Sequence, residues 1–100
     1  NAFVPVEKEP QVVKRVKPEY PEIARRAGIE GVVWVKILVD KEGKPRKAVV
    51  IKSDASDVLN QAAITGAMQF VFTPALMNNG PISCWVVIPF RFQLKEAPRA

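Results

Sequence analysis

A run near the end of the chain, residues 82–94, restricts the fold more than any other part of the sequence. Every second residue of this run, ISCWVVIPFRFQL, is apolar from Ile82 to Leu94, and the residues between them are mixed. This alternation predicts a β-strand with one face in the core. Pro89 lies in the middle of the run, and proline, which lacks an N–H, is confined to strand starts, bulges and sheet edges. We therefore expect an edge strand, whose unpaired backbone groups are either shielded or bind a partner.

Pro89 also predicts which backbone groups of this strand face away from the sheet. The N–H and C=O of one residue point to one side of a strand, and those of the next residue point to the other side. The strand keeps its internal ladder only if Pro89 belongs to the outward set. That set, which we expect to pair with an added peptide strand, consists of Ser83, Trp85, Val87, Pro89 and Arg91. Pairing is expected to centre on residues 83–87 and to weaken at the proline.

The composition argues against an enzyme. The 100 residues suit one small domain and include no His, which removes most zinc sites and the Ser–His and Cys–His pairs of nucleophilic catalysis. The acidic candidates Asp40, Glu42, Asp54 and Asp57 fall in a predicted hairpin loop and helix start, where structural roles account for them. The single Cys84 lies on the apolar face of the last strand and is expected to be a small core residue. We expect no catalysis, no metal site and no cofactor.

The net charge of +5 permits attraction to nucleic acid or anionic lipid. The basic residues are scattered, however, apart from a small cluster of Lys14, Arg15 and Lys17, which is either solvated or contacts an anionic group. They do not gather beside Trp34 and Trp85, the aromatic side chains that could stack on bases. We therefore expect no nucleic-acid partner.

The sequence predicts three regions. Residues 1–17, which prolines and charges interrupt, are expected to form an extended arm or the end of a linker. Residues 18–95 are the folded domain, and residues 96–100 are a tail. The chain starts at Asn1 rather than Met, which is typical of a domain taken from a longer protein.

The folded region opens with a short helix that starts at Pro21 and ends at Gly28, a left-handed stop. A strand over residues 31–40 follows, with a wholly aliphatic face toward the core. A hairpin loop then leads to a second strand, in which Val49 and Ile51 are expected to point inward.

A second helix is expected from residues 53–57 to about Phe70, with Asp54 or Ser56 as its cap. Gly66 weakens this helix, so that we expect it where the helix packs closely on the sheet. A turn-rich loop over residues 77–81 then leads into the final strand.

The order of elements is helix, strand, strand, helix, strand. A hairpin makes the first two strands antiparallel, and a helical crossover returns the third strand parallel to the second. The prediction is an α+β fold, a three-stranded antiparallel sheet of order 2-1-3 with both helices on one face, the split βαβ arrangement. This order places the last strand at an edge without reference to its proline. The other edge is the second strand, which Arg46, Lys47 and Lys52 keep charged.

Five short segments in this order resemble a known family. They are Tyr20-Pro21 with Ala24-Arg25 and Gly28, then Glu30 to Val35, Asp40 to Gly43, Phe70 to Ala75, and Ile88 to Phe92. Together they are similar to the C-terminal domain of TonB-type energy transducers, over roughly residues 18–94. Phe70 and Phe72 depart from the pattern, because many members carry Trp in that stretch, which changes packing more than role.

The resemblance implies a non-catalytic module in the periplasm of a Gram-negative bacterium. An N-terminal helix outside this sequence would anchor the protein in the inner membrane and engage an ExbB/ExbD-like, proton-driven motor. The domain would grip the TonB-box segment of an outer-membrane transporter by adding it to the last strand, and would transmit force to it. Distant TolA-like domains share the fold, so that a TolA-like or cell-wall-associated scaffold is the alternative.

Trp34 is a further candidate contact residue. It and Trp85 are predicted on the sheet face opposite the aliphatic core, as neighbours across the strands. Either the N-terminal arm covers them, or they form a surface for the peptide or for a second copy of the domain. An open edge also allows two copies to pair as a homodimer.

Overall fold

The computed structural model describes residues 6–78 and 80–94 of the chain. These ranges form two helices and seven strands. The helices are α1 (Glu22–Ala27) and α2 (Asp57–Ala67), and the strands are β1 (Val12–Lys14), β2 (Gly31–Val39), β3 (Pro45–Ser53), β4 (Val71–Phe72), β5 (Ala75–Met77), β6 (Gly80–Ile82) and β7 (Cys84–Phe92). Neither helix is long and apolar enough to cross a membrane, as far as the described residues go.

The central sheet has the order β3-β2-β7, and both pairings are antiparallel. This is the predicted order, with β2 in the middle. The β2–β7 ladder is regular from Gly31 opposite Phe92 to Val39 opposite Cys84. The β2–β3 ladder shifts register twice, between Trp34 and Val35 and again near its far end.

The core lies on one face of this sheet, under both helices. The inward residues of β2, from Val33 to Val39, are fully buried, and they form one cluster with Ala24 of α1, Leu59 of α2 and the β7 residue Phe90. The predicted α+β class with both helices on one face is therefore confirmed. Each large apolar side chain buried here contributes about 1.5–3 kcal/mol to folding, so that the inward face of β2 is a substantial part of what stabilises the domain.

The second strand was predicted with the wrong residues inward. Val49 and Ile51 are 45% and 50% exposed, whereas Ala48 and Val50 pack against the core. The two register shifts in β3 are bulges, which add a residue to one strand and exchange its faces. Because the pattern of residues 45–53 is apolar on both parities, the sequence alone does not reveal where these bulges fall.

The first helix agrees with its prediction. It begins directly after Pro21 and ends at Gly28, whose φ of 70° is the left-handed conformation expected of a glycine stop. Just before it, the Tyr20 hydroxyl donates a hydrogen bond to the carbonyl of Ile29, which closes the chain around the helix.

The second helix differs from its prediction in three ways. It ends at Ala67, before the expected Phe70, and its N-cap Ser56 makes no side-chain cap hydrogen bond. Asp54 does not cap it either, because its Oδ1 accepts a hydrogen bond from the N–H of Val32 instead. Gly66 faces Pro18, directly after the arm, and not the sheet, since a Cβ there would lie 3.1 Å from the Pro18 side chain.

The hairpin between β2 and β3 is held by one carboxylate and one glycine. Asp40 Oδ1 accepts hydrogen bonds from the N–H groups of Glu42 and Lys44, at 2.9 and 2.8 Å. These N–H groups, that of Lys44 first, hold the pKa of Asp40 below its usual value, with a further contribution from the Arg46 guanidinium. Gly43 has a φ of 86°, and its carbonyl accepts a hydrogen bond from the N–H of Phe72, so that the loop contacts β4.

The final apolar run is not one strand. It is divided at Ser83 into β6, which pairs with β5, and β7, which pairs with β2. The predicted loop over residues 77–81 therefore belongs partly to a small β5–β6 hairpin. Strands of two or three residues carry too few positions for a period to show, which is why β4, β5 and β6 were not predicted.

The predicted arm packs on the domain over the part that the structure describes. Its strand β1 pairs with β4, and Lys8 forms a bridge with Leu76. Val12 and Val16 pack against the core. The first five residues of the arm and the predicted tail, residues 96–100, lie outside the described residues.

Candidate functional site

The backbone of Val32 reveals which side of β7 faces outward. Its N–H donates to Asp54 Oδ1 at 2.8 Å, and its C=O accepts from the N–H of Asp54 at 3.3 Å. Asp54 directly follows β3, so that Val32 and every second residue after it face β3, and the residues between them face β7. Those that face β7, namely Val33, Val35, Ile37 and Val39, lie opposite Phe90, Ile88, Val86 and Cys84. These β7 residues therefore form the ladder with β2.

The other residues of β7 turn their backbone groups away from the sheet. Trp85, Val87 and Arg91 each present an N–H and a carbonyl, and Pro89 presents a carbonyl alone. The missing N–H of Pro89 thus costs the β2–β7 ladder nothing, because Pro89 and its neighbour Trp34 form a non-hydrogen-bonded pair. Within the described residues, β7 has no strand on this side, so that this row of groups is an open edge.

Ser83 does not share this edge. It lies in the break between β6 and β7, outside both strands, although its side chain is exposed. Its inclusion in the edge strand was wrong, because the strand pairing changes there, from β5 before Ser83 to β2 after it. The edge that the structure presents runs from Trp85 to Arg91.

The opposite edge of the sheet, formed by β3, is protected. Arg46, Lys47 and Lys52 on β3 are exposed, and the two bulges interrupt its regular spacing. Lysine, arginine and bulges are the devices by which proteins block edge pairing. The two edges of this sheet therefore differ, and only the β7 edge is regular and open.

The two tryptophans lie on the sheet face opposite the core, as predicted, but they are not neighbours. Trp34 is opposite Pro89, Trp85 is opposite Leu38, and the pair of Lys36 and Val87 separates them. Trp34 is 37% exposed. The Lys36 ammonium lies 4.6 Å from the centre of the Trp85 ring, in a cation–π contact.

The described part of the arm pairs with β4 and β5. None of its described hydrogen bonds reaches either tryptophan. On this outer face, Trp34 and Val87 are exposed in the part of the chain that the structure describes.

A groove borders the edge on its inner side. Residues 15–17 of the arm and Pro18 directly after it form one wall, and Phe70, Pro89 and Phe90 form the other, around a volume of about 370 Å³. Phe70 and Phe90 pack edge to face with ring centres 5.6 Å apart. The sequence offers no period that would place Phe70 beside the edge, since it lies in an irregular segment after α2.

The single cysteine has no catalytic setting. Cys84 is half-buried, not fully buried, and this burial raises the pKa of its thiol, with the Glu9 carboxylate adding to the effect. A raised pKa disfavours the reactive thiolate. Among the residues in the described ranges, no group of three His, Cys, Asp or Glu side chains could hold a metal ion.

Comparison with known proteins relates this chain to one family. The family model described as "Gram-negative bacterial TonB protein C-terminal" matches residues 16–94. Protein TonB of Vibrio cholerae is 36% identical over 90 residues, which are 90% of this chain and 37% of that relative. The chain thus spans little more than a third of the length of this relative.

Two solved structures are also similar. The solution structure of the Pseudomonas aeruginosa TonB C-terminal domain matches with a TM-score of 0.73 over 90% of this chain and 91% of that one, at 20% identity. At that identity the match shows the fold alone. A Helicobacter pylori TonB C-terminal domain matches with a TM-score of 0.60 at 32% identity, over 81% of this chain and 85% of that one. The sequence match across the folded region and the shared fold agree, and the chain belongs to the TonB C-terminal domain family of Gram-negative bacteria.

Proposed function

We propose that this domain binds an extended segment of an outer-membrane transporter, the TonB box, as an additional strand on the open edge of β7, and that it transmits force through this contact. The observation that carries the proposal is the outward row of backbone groups at Trp85, Val87 and Arg91, which has no partner strand within the described residues. Strand addition to an open edge is an established way to bind extended peptides.

Backbone pairing alone is too weak to explain tight binding of the added peptide strand, which we call the guest. A guest bonded to Trp85 and Val87 makes about four backbone hydrogen bonds, each worth about 1 kcal/mol net. Their sum, about 4 kcal/mol, corresponds to a dissociation constant near 1 mM. Side-chain contacts must supply the remaining affinity and the selectivity. On one face of the guest these contacts are Trp85, Val87 and the exposed Trp34, and on the other they are the walls of the groove beside Phe70.

The sheet suits a load-bearing contact. A guest strand that is pulled along its length loads its hydrogen bonds in shear, so that several must break together. The load then passes from β7 to β2 through a regular ladder that spans the full length of both strands. Single-molecule pulling of a bound peptide should show detachment at a measurable force, and detachment at negligible force would contradict the role in force transmission.

The rest of the cellular role lies outside this chain. By family, the domain would be held on the periplasmic side of the inner membrane by an N-terminal helix, where an ExbB/ExbD-like motor would act on it. The domain itself would be non-catalytic and would need no cofactor. Energy from the motor would reach the transporter through the arm and the sheet.

Amide hydrogen exchange with a synthetic TonB-box peptide tests strand addition residue by residue. The amides of Trp85 and Val87 should gain protection on peptide binding, whereas those of Val86 and Ile88 should be protected already. The amides of the β3 edge should not change. New protection at Cys84 and Val86 with none at Trp85 and Val87 would overturn the assignment. A concentration-dependent protection of the same amides without peptide would indicate pairing of two copies instead.

A further inference from the structure

The side chains on the sheet face opposite the core form a second surface beside the open edge. Directly opposite residues of a ladder point to the same face. The rows that cross this face are Lys47, Leu38 and Trp85, then Val49, Lys36 and Val87, then Lys52, Trp34 and Pro89, and finally Val32 and Arg91. We call these residues the outer face, and none of them is buried.

The charges of the outer face all have the same sign. The strands β2, β3 and β7 contain no Asp or Glu, and their charged side chains are Lys36, Arg46, Lys47, Lys52 and Arg91. All of these except Arg46 lie on the outer face. Arg46 is 3.9 Å from Asp40, whereas the ion pairs among the described residues involve no cation of the outer face. The face therefore carries positive charge that no carboxylate neutralises.

The rest of the outer face is apolar. The three strands contain no Asn, Gln, Thr or Tyr. Their one serine, Ser53, lies opposite the buried Val33, and its hydroxyl donates to Asn60 Oδ1 of α2 at 2.6 Å. Three strands about 4.8 Å apart, over about 20 Å of their length, present roughly 300 Å². Apolar patches of this size mark interaction surfaces.

Tryptophan, aliphatic and cationic side chains together suit the interface of an anionic bilayer. Indole rings lie at the level of the lipid head groups, and lysine reaches the phosphates while its aliphatic stem lies on apolar surface. Lys36 and Trp85 already have this arrangement, with the ammonium 4.6 Å from the centre of the ring. A protein partner would need about one hydrogen bond per 100–200 Å², and the outer face has no uncharged polar side chain except its indoles. A second copy stacked on the same face would bring like charges together.

We infer that the outer face docks flat on a bilayer that contains anionic phospholipids, with its two tryptophans among the head groups and its cations on the phosphates. This contact goes beyond the proposed function and does not depend on it. A strand added to β7 extends the sheet in its own plane and leaves the outer face free, so that peptide and bilayer can be bound together.

Tryptophan fluorescence reports this contact directly, because both tryptophans of the chain lie on the outer face. The domain is titrated at low salt with vesicles of phosphatidylcholine alone, or of equal amounts of phosphatidylcholine and phosphatidylglycerol. The anionic vesicles should shift the emission to shorter wavelength, at a half-saturating lipid concentration at least about tenfold below that of the neutral vesicles. About 0.5 M NaCl should remove most of this difference. Brominated lipid should quench the remaining tryptophan in both Trp34→Phe and Trp85→Phe.

Two double variants of equal charge locate the contact. Lys47→Gln with Lys52→Gln removes two cations from the outer face and should raise the half-saturating concentration of anionic lipid about tenfold or more. Lys8→Gln with Lys14→Gln removes two cations from the arm and should raise it by less than about threefold. All four lysines are exposed, so that both variants should fold, which thermal unfolding checks.

The outcomes separate the bilayer from other partners. Unchanged tryptophan emission with anionic vesicles would overturn the inference and leave the proposed strand addition untouched. A shift caused by soluble polyglutamate but not by vesicles would overturn it in favour of an acidic protein, and a shift that grows with protein concentration without lipid would indicate a second copy. Equal losses in the two double variants would also refute docking by this face, because the attraction would then follow net charge alone.

Discussion

Replacing Val87 with proline tests the orientation of β7 most directly. The N–H of Val87 points away from the sheet, so that its removal takes no hydrogen bond from the β2–β7 ladder. Pro89, two residues further along, shows that the strand already accommodates proline at this parity. We expect Val87→Pro to change the free energy of unfolding by less than about 1 kcal/mol.

The matched variant Val86→Pro removes an N–H of the other parity. That N–H bonds to β2 at Ile37, which is fully buried. A buried carbonyl left without its donor costs about 1–3 kcal/mol. For a domain of this size, each kcal/mol lowers the melting temperature by about 4–8 °C, so that a central value of about 2 kcal/mol predicts a decrease of about 8–16 °C.

Thermal unfolding followed by circular dichroism measures the difference, and peptide titration completes the comparison. Val87→Pro should weaken peptide binding at least about fivefold, since about 1 kcal/mol of pairing is lost and the ring obstructs the guest. Val87→Ala keeps the N–H and isolates the contribution of the half-exposed side chain. Equal destabilisation by Val87→Pro and Val86→Pro would refute the assigned orientation, as would unchanged peptide affinity in Val87→Pro.

Three further predictions concern the scaffold. Gly43→Ala should destabilise the domain more than Gly28→Ala does, as measured by urea unfolding. Both glycines have positive φ, which costs about 1–2 kcal/mol for alanine. A Cβ at Gly43 would also lie 1.8 Å from the Phe72 carbonyl oxygen, whereas nothing lies within 4 Å of a Cβ at Gly28. Equal losses would mean that the hairpin loop and β4 do not touch. Backbone hydrogen bonds lower the pKa of Asp40 in the folded state. The stability that they contribute is present above the unfolded pKa of about 4 and is lost as the pH falls through the folded pKa. The free energy of unfolding should therefore decline less steeply in acid for Asp40→Asn than for the unchanged protein, and parallel pH profiles would contradict this. Tyr20→Phe should cost about 1 kcal/mol in thermal unfolding, since it removes the hydrogen bond to Ile29 but keeps the ring contact with Phe92 at 5.6 Å, and an unchanged melting temperature would show that the hydroxyl contributes nothing.

Long elements with a clear period could be predicted from the sequence. The aliphatic residue at every second position of 31–39 predicted β2 and its core face, and Gly28 predicted where the short helix before it ends. The edge position of β7 could be predicted twice, from Pro89 and from the order of elements. The outward set at Trp85, Val87 and Arg91 followed from Pro89 as well, although its role in binding stays a prediction.

The errors lie where the backbone departs from regular geometry. Val49 and Ile51 were assigned inward because bulges in β3 leave no mark in an apolar pattern. Ser83 was assigned to the edge because the apolar alternation continues through the break between β6 and β7. Gly66 was expected against the sheet, but Pro18 lies there, and no local pattern reports a contact between residues so far apart in sequence.

The sequence by itself determined the class of fold, the edge position of its last strand and the family, because these depend on local periods, on one proline and on the order of elements. Only the tertiary structure decided which face β3 presents, where the edge begins, and that the arm brings Arg15 and Lys17 beside Arg91. The physical reason is the range of the interactions. A period or a proline acts within a few residues, whereas a bulge, a strand break or a cluster of charges depends on which distant segments pack together.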